Sequence, residues 1–185
     1  MRRLLMWNVC TLDGLFEGAK PWDLAFHDTV WGDELQRFSL EQGEEVGTVL
    51  YGRATYEGMA SYWSTATGAT ADFMNRVPKV VFSNTLDTAS WNNTRLVKGD
   101  AAAEVRRLKQ ETGKDLIVFG SARLSDSLMA AGLFDEYRLC LAPIVLGEGT
   151  SLFKPHNRPH PMRLLESRAL RTGGIILRYA PQPAA

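Results

Sequence analysis

Cysteine and histidine are scarce in this chain, and neither sign of charge is in excess. Two cysteines among 185 residues, Cys10 and Cys140, exclude a disulfide-stapled scaffold and fit a reducing cytoplasm. Of the three histidines, His156 and His160 stand four apart, but Pro155, Pro159 and Pro161 prevent the helix that would align them, so no metal site is expected. The 21 basic and 21 acidic residues cancel. Nucleic acid and membrane surfaces are therefore not expected partners, and any anionic ligand must be held by a local site. The apolar run after Arg2 and Arg3 meets Asp13 too soon to be a signal peptide or a membrane span.

Several common chemistries are missing as well. There is no histidine followed closely by glutamate with a paired-cysteine motif, as a zinc deaminase needs. There is no GxSxG, no P-loop Lys-Ser or Lys-Thr after a glycine turn, and no GxGxxG.

What is present is a chain with 45% hydrophobic residues, enough for one domain over 1–185 with a full core. Its organising stretch is VGTVLYGRATYE, Val46 to Glu57. Val46–Tyr51 is short, apolar and β-branched, and reads as a buried strand. Gly52 breaks it and Arg53 opens a helical turn. A strand that ends in glycine and enters a helix gathers unpaired N–H groups at the positive end of the helix dipole, where phosphate binds. Arg53 adds a permanent charge and Thr55 a hydroxyl; the competing reading is a βα turn with a solvated arginine. Asp115–Phe119 repeats the pattern, running through Gly120-Ser121-Ala122-Arg123 into a helix that carries Leu124 and Leu128.

Around these turns the pattern predicts a central first strand at Leu4–Cys10, then a loop containing Leu15, Phe16 and Trp22, apolar residues that either tuck under the sheet edge or line a pocket. A helix is expected within Asp28–Gln42, with Trp31, Leu35 and Phe38 on its inner face and Gly43 past its end. A loop over Tyr62–Thr70, a short helix at Ala71–Arg76, strands at Pro78–Ser83 and Thr94–Val97, and a helix capped by Asp100 follow. A strand at Phe134–Ala142 precedes an antiparallel pair, Arg163–Leu170 with Gly174–Tyr179, and the tail PQPAA is expected to fray. Alternating strands and helices closing on a hairpin predict a mixed α/β sheet covered on both faces. Two phosphate-competent turns after separate strands suggest one ligand lying across the strand ends.

LDG at 12–14, PW at 21–22, GRATYE at 52–57, FSNTL at 82–86, FGS at 119–121 and LFDEYRLCLAPIVLGEGTSLF at 133–153 resemble, in order and spacing, the dihydrofolate-reductase-like proteins. Within these, they are similar to the reductase domain of the bifunctional riboflavin-biosynthesis deaminase-reductase, without the deaminase half. The resemblance implies a three-layer fold, a mostly parallel sheet with an antiparallel C-terminal end, and NADPH as cofactor. It places Arg53, Ala54 and Thr55 at the cofactor phosphates. Ser83, Asn84 and Thr85 fall near the adenosine end, and Gly120, Ser121, Ala122, Arg123 and Leu124 at the second pyrophosphate turn.

The reaction so implied is reduction of the ribose carbon of a ribosylamino-pyrimidine, as in 5-amino-6-(5-phosphoribosylamino)uracil reductase, in a pocket walled by Leu15 and Trp22. Lys20, Lys154 and Arg158 are candidate cations for the substrate phosphate, or plain surface charges. Asp13 either orients a substrate group or caps its own loop. Dihydrofolate or pteridine reduction is the alternative. It requires a carboxylate shortly after Pro-Trp, where counting from Trp22 lands on His27, with Asp23 and Asp28 either side. Asp28 serves as that carboxylate or as a helix cap. A non-catalytic nucleotide-binding module is the third reading. The related reductases also imply a homodimer, with Leu152-Phe153 and Ile175-Ile176-Leu177 either as its apolar surface or as plain core.

Overall fold

The strand β1, Leu4–Thr11, is buried along nearly its whole length because it pairs in parallel on both sides. The computed structural model describes residues 1–155 and 159–182. Next to β1 lie β6 (Asp115–Phe119) and β7 (Glu136–Ala142). Beyond β6 come β3 (Val46–Gly52), β4 (Lys79–Phe82) and β5 (Thr94–Val97), all parallel. Beyond β7 come β10 (Ile175–Pro181) and then β9 (Met162–Ala169), both paired antiparallel. The eight-stranded order is β5-β4-β3-β6-β1-β7-β10-β9. A small antiparallel pair, β2 (Leu15–Glu17) with β8 (Thr150–Ser151), stands apart where a plain loop was expected.

Side chains alternate across the sheet and load both faces. Leu4, Met6, Leu50, Leu116 and Val118 pack against α4 (Ala101–Gln110) and α5 (Ala122–Ala130). Leu5, Val49, Tyr51 and Ile117 pack against Tyr56 of α2 (Arg53–Trp63) and Met74 of α3 (Ala69–Arg76). Val9, Cys140 and Ile176 meet Leu35 and Phe38 of α1 (Asp33–Glu45). The result is a three-layer α/β fold with all six parallel strands ending at one edge.

Several expected boundaries move. The helix expected within Asp28–Gln42 is a 3₁₀ turn, Ala25–Thr29, followed by α1, with Val30 sunk into the core between them. Trp31 is therefore half exposed instead of inward-facing. Gly43 lies inside α1, not past it; a Cβ there would stand 3.3 Å from the Phe73 ring, so its smallness lets α1 approach α3. The loop expected from Tyr62 begins only at Ser64, because α2 runs to Trp63 and α3 already starts at Ala69. Asp100 caps α4 as its position suggests, accepting from the N–H groups of Ala102 and Ala103 at 2.8 and 3.1 Å. The tail is held further than expected, since Gln182 N–H donates to the Pro161 carbonyl at 2.9 Å; residues 183–185 lie outside the described residues.

At the opposite edge of the sheet, Glu136 is buried among arginines. It accepts from Arg138 Nε at 2.7 Å, Arg178 Nε at 2.6 Å and Arg3 Nη1 at 3.2 Å. Arg138, itself 2% exposed, also reaches Glu45 of α1 at 2.7 Å. This network joins β1, β7, β10 and α1 away from the strand ends that carry the candidate site.

Candidate active site

The ends of β3 and β6 lie side by side, with Leu50 in register with Val118. Gly52 therefore sits next to Gly120, and the two turns are clasped together. Ser121 N–H donates to Thr55 Oγ1 at 2.9 Å, and Ser121 Oγ accepts from Gly52 N–H at 3.0 Å while donating to the Phe119 carbonyl at 3.1 Å. Gly120 has φ +56°, and a Cβ there would stand 3.0 Å from Thr55 Cγ2, so only glycine fits both the conformation and the space. Ser121 is also left-handed, φ 56° and ψ 49°, a costly conformation for a residue with a Cβ. Its three hydrogen bonds hold it there.

The clasp aligns the starts of α2 and α5. Neither Gly52 nor Ser121 caps its helix with a side chain, so first-turn N–H groups of both helices remain for a ligand. Arg53, Ala54, Thr55 and Gly120 through Leu124 all line one cavity of about 860 Å³. Arg53 is more than half exposed, with only a 3.5 Å contact to Glu57, a pairing too solvated to hold it. Thr55 differs from expectation: its buried oxygen is engaged by Ser121, so it ties the turns together. Ser83, Asn84 and Thr85 follow β4 at the same edge but do not line the cavity; Phe82 does. Their side chains shape their own turn, Ser83 Oγ accepting from Leu86 N–H at 2.9 Å and Asn84 Oδ1 from Gly99 N–H at 2.8 Å.

The remaining wall is largely aromatic, with Trp7, Phe16, Trp22, Trp31, Trp63 and Phe119. Trp22 has φ +65°, its N–H donates to Glu17 Oε1 at 2.6 Å, and its indole lies on Gly58 of α2. A Cβ on Gly58 would come within 2.6 Å of three ring carbons, so that glycine is the seat of the indole. Leu15 and Phe16 divide the two readings of their segment between them. Leu15 is buried and absent from the cavity wall, whereas Phe16 lines it, as adjacent strand residues on opposite faces must.

The three aspartates take places outside the wall. Asp13 caps its loop, accepting from Thr11 Oγ1 at 2.5 Å and from Gly147 N–H at 2.8 Å, and these two donors lower its pKa. Asp23 lies against Gly18, and Asp28 is exposed on the 3₁₀ turn. Lys20 and Lys154 are likewise exposed and do not line the cavity; His156 and Arg158 lie outside the described residues. His27 is on the wall where the carboxylate count landed, its pKa driven down to about 4 by burial, with Asp28 opposing. Asn8, the polar interruption of an otherwise apolar strand, joins it there. The sequence did carry that signal, one amide in LLMWNVC.

Parallel strands ending in clasped helix starts above an aromatic cleft, with an antiparallel hairpin closing the sheet, make a dihydrofolate-reductase-like fold. Dihydrofolate reductase from Enterococcus faecalis superposes with a TM-score of 0.63 at 14% identity, over 97% of this chain and 96% of that one. A candidate riboflavin biosynthesis protein from Shewanella sp. PV-4 superposes with a TM-score of 0.79 at 19% identity, over 97% and 99%. In sequence, the uncharacterized protein YyaP of Bacillus subtilis is 27% identical over 96% of this chain and 94% of its own length. Residues 3–176 match the RibD C-terminal domain, and the chain belongs to that family.

Proposed function

We propose that the chain is an NADPH-dependent reductase of a small heterocyclic or ribosylamino substrate, working in a reducing cytoplasm. The observation that carries this reading is the clasp between Thr55 and Ser121, which sets two uncapped helix starts side by side on one cavity. One helix start suits one phosphate, and two adjacent ones suit the pyrophosphate of a dinucleotide. The chain's groups fit that cofactor: Arg53, Ala54 and Ala122–Leu124 would hold the phosphates, with Arg53 and Arg123 supplying positive charge. The Ser83–Thr85 turn, following β4 at the same edge, would meet the adenosine end. When bound, NADPH supplies a hydride to the electron-poor carbon of the substrate, and a proton from solvent completes the two-electron reduction. His27 does not serve as that acid, because its neutral form prevails at pH 7. The aromatic wall excludes water and seats a flat ring.

Dihydrofolate fits less well than a ribosylamino-pyrimidine. Among the described residues, the carboxylates on the wall are Glu17 and Glu57. Glu17 is engaged by Trp22 N–H and the Thr150 hydroxyl, and Glu57 faces Arg53. The test is a fluorescence titration with NADPH and NADH, followed by NADPH-oxidation assays with the ribosylamino-pyrimidine intermediate and dihydrofolate side by side. NADPH should bind more tightly than NADH, and Arg53→Ala should weaken it by about 1.5–3 kcal/mol, the worth of a charged hydrogen bond. Equal or reversed cofactor preference refutes the assignment, and no NADPH binding at all leaves the non-catalytic reading.

A homodimer is part of the same proposal. Leu152 and Ile176, expected at the interface, are core residues at 2% and 0% exposure. Phe153 and Ile175 of the expected set are exposed, and Leu164 and Leu165 of β9, the edge strand, add to that apolar surface.

A further inference from the structure

The cavity wall is not uniform. Trp7 of β1 and Phe119 of β6 are in register at the strand ends, and alternation turns both toward the sheet face that carries Leu5 and Ile117. On that face Met59 and Trp63 of α2 and Phe73 of α3 pack against the same apolar cluster. From α1, Leu35, Ser39 and Gln42 reach the wall at i, i+4 and i+7, one stripe of the helix. Together these residues make an inner arm of the cavity, between the sheet and the three helices α1, α2 and α3.

Charge lies elsewhere on the wall. Among the described residues its cations are Arg53 and Arg123, both on the turns that suit the cofactor phosphates. Its carboxylates are Glu17, which accepts from Trp22 N–H, and Glu57, which faces Arg53. The polar groups of the inner arm are neutral: the hydroxyls of Ser39 and Thr70, and the amide of Gln42. Gln42 Oε1 accepts from Arg138 Nη1 at 3.4 Å, but that arginine is 2% exposed and already matched by Glu136 and Glu45, each at 2.7 Å. Two buried nitrogens of wall residues, Asn8 Nδ2 and His27 Nε2, have no hydrogen-bond partner. Both belong to uncharged groups, since burial keeps the imidazole neutral at pH 7. An anion moved from water onto such a wall loses its hydration and meets no counter-charge. A flat neutral ring avoids that penalty and gains the faces of Trp7, Trp63, Phe73 and Phe119.

Resting on the reductase reading, we propose that the inner arm selects an uncharged, unphosphorylated flat ring as the hydride acceptor. Phosphate recognition in this chain is then confined to the cofactor turns. A phosphorylated ribosylamino-pyrimidine is a poorer ligand than the same compound without its phosphate.

The test titrates the NADPH-loaded chain with the ribosylamino-pyrimidine intermediate, with the same compound after phosphatase treatment, and with lumazine. The unphosphorylated compound should bind about tenfold or more tighter than the phosphorylated one, as expected when a buried charge has no partner. Lumazine binding should not change between low and high salt. Trp63→Ala should weaken lumazine about tenfold and leave 2′-phospho-ADP-ribose, which occupies only the phosphate side, unchanged. A general loss of packing would weaken both. Equal or tighter binding of the phosphorylated compound, no binding of lumazine, or a Trp63→Ala effect shared by both probes or absent from both overturns the inference. The reductase reading survives each of those results as long as NADPH binds. Failure of the unaltered chain to bind NADPH overturns both.

Discussion

Replacing Thr55 by valine tests the clasp on which the site depends. Valine has nearly the shape of threonine, so the close contact of Cγ2 with Gly120 survives and only the acceptor is lost. Thr55 and Ser121 are 9% and 6% exposed, and the bond between them is 2.9 Å. Water therefore does not replace the lost partner, and the Ser121 N–H becomes a buried orphan costing about 1–3 kcal/mol. In a chain of this length each kcal/mol moves the melting temperature by about 2–4 °C, so a central loss of about 2 kcal/mol gives about 4–8 °C. The same bond helps hold Ser121 in its left-handed conformation, a state that disfavours non-glycine residues by roughly 1–2 kcal/mol. Its loss lets the Gly120–Ser121 turn relax and swings the start of α5 away from that of α2. NADPH affinity should then fall about tenfold, the effect of losing one hydrogen bond's worth of alignment. Thr55→Ser, which keeps the oxygen, should recover most of the binding. Calorimetric melting and fluorescence titration read the two effects. A Thr55→Val protein that melts with the unaltered chain and binds NADPH equally well would refute the clasp as the element that builds the site.

Glu136→Gln should cost about 1.5–3 kcal/mol in urea denaturation, because Arg138 and Arg178 lose a buried charged partner while Arg138 keeps Glu45; an unchanged midpoint would show that the buried carboxylate contributes nothing. His27 has its pKa lowered from 6.5 to about 4 by burial, so the unfolded chain takes up that proton first as pH falls. Its contribution is complete above pH 6.5 and is lost toward pH 4, a decline of about 2–3 kcal/mol that His27→Gln should remove from the pH profile. An identical profile in the variant would contradict the burial of the ring. Sedimentation at micromolar concentration should show a particle of twice 20.6 kDa, reduced to the monomer by Leu164→Glu with Leu165→Glu; a monomer in the unaltered chain rejects the dimer.

Much of this molecule could be read before folding. The β-branched runs at 46–51 and 115–119 are too short and too apolar for surface helices, and each ends in a glycine that admits a helix start. Local chemistry alone therefore located both strand-to-helix turns, with Arg53 and the Gly120–Ser121 corner, that the fold brings to one cavity. The first strand was likewise legible as central, because seven nearly apolar residues need cover on both faces.

Other assignments failed where a residue's role depends on partners far along the chain. Thr55 was legible only as a hydroxyl donor; that its oxygen also accepts from Ser121 N–H, 66 residues away, and so ties the two turns together was not. Gly43 looked like the stop of a helix, but it and Gly58 lie inside helices and admit Phe73 and Trp22. Asp13, Asp23 and Asp28 were plausible anchors by proximity in sequence; the loop that carries Asp13 folds back on 146–147, and the 3₁₀ turn aims His27, not Asp28, at the cavity. By itself the sequence determined the periodicity of the elements, the sites of the glycine turns and the family pattern, because these follow from backbone sterics and side-chain polarity over a few residues. Only the tertiary structure decided which polar groups are left unpaired on the cavity wall, because burial and hydrogen-bond satisfaction are properties of the packed chain.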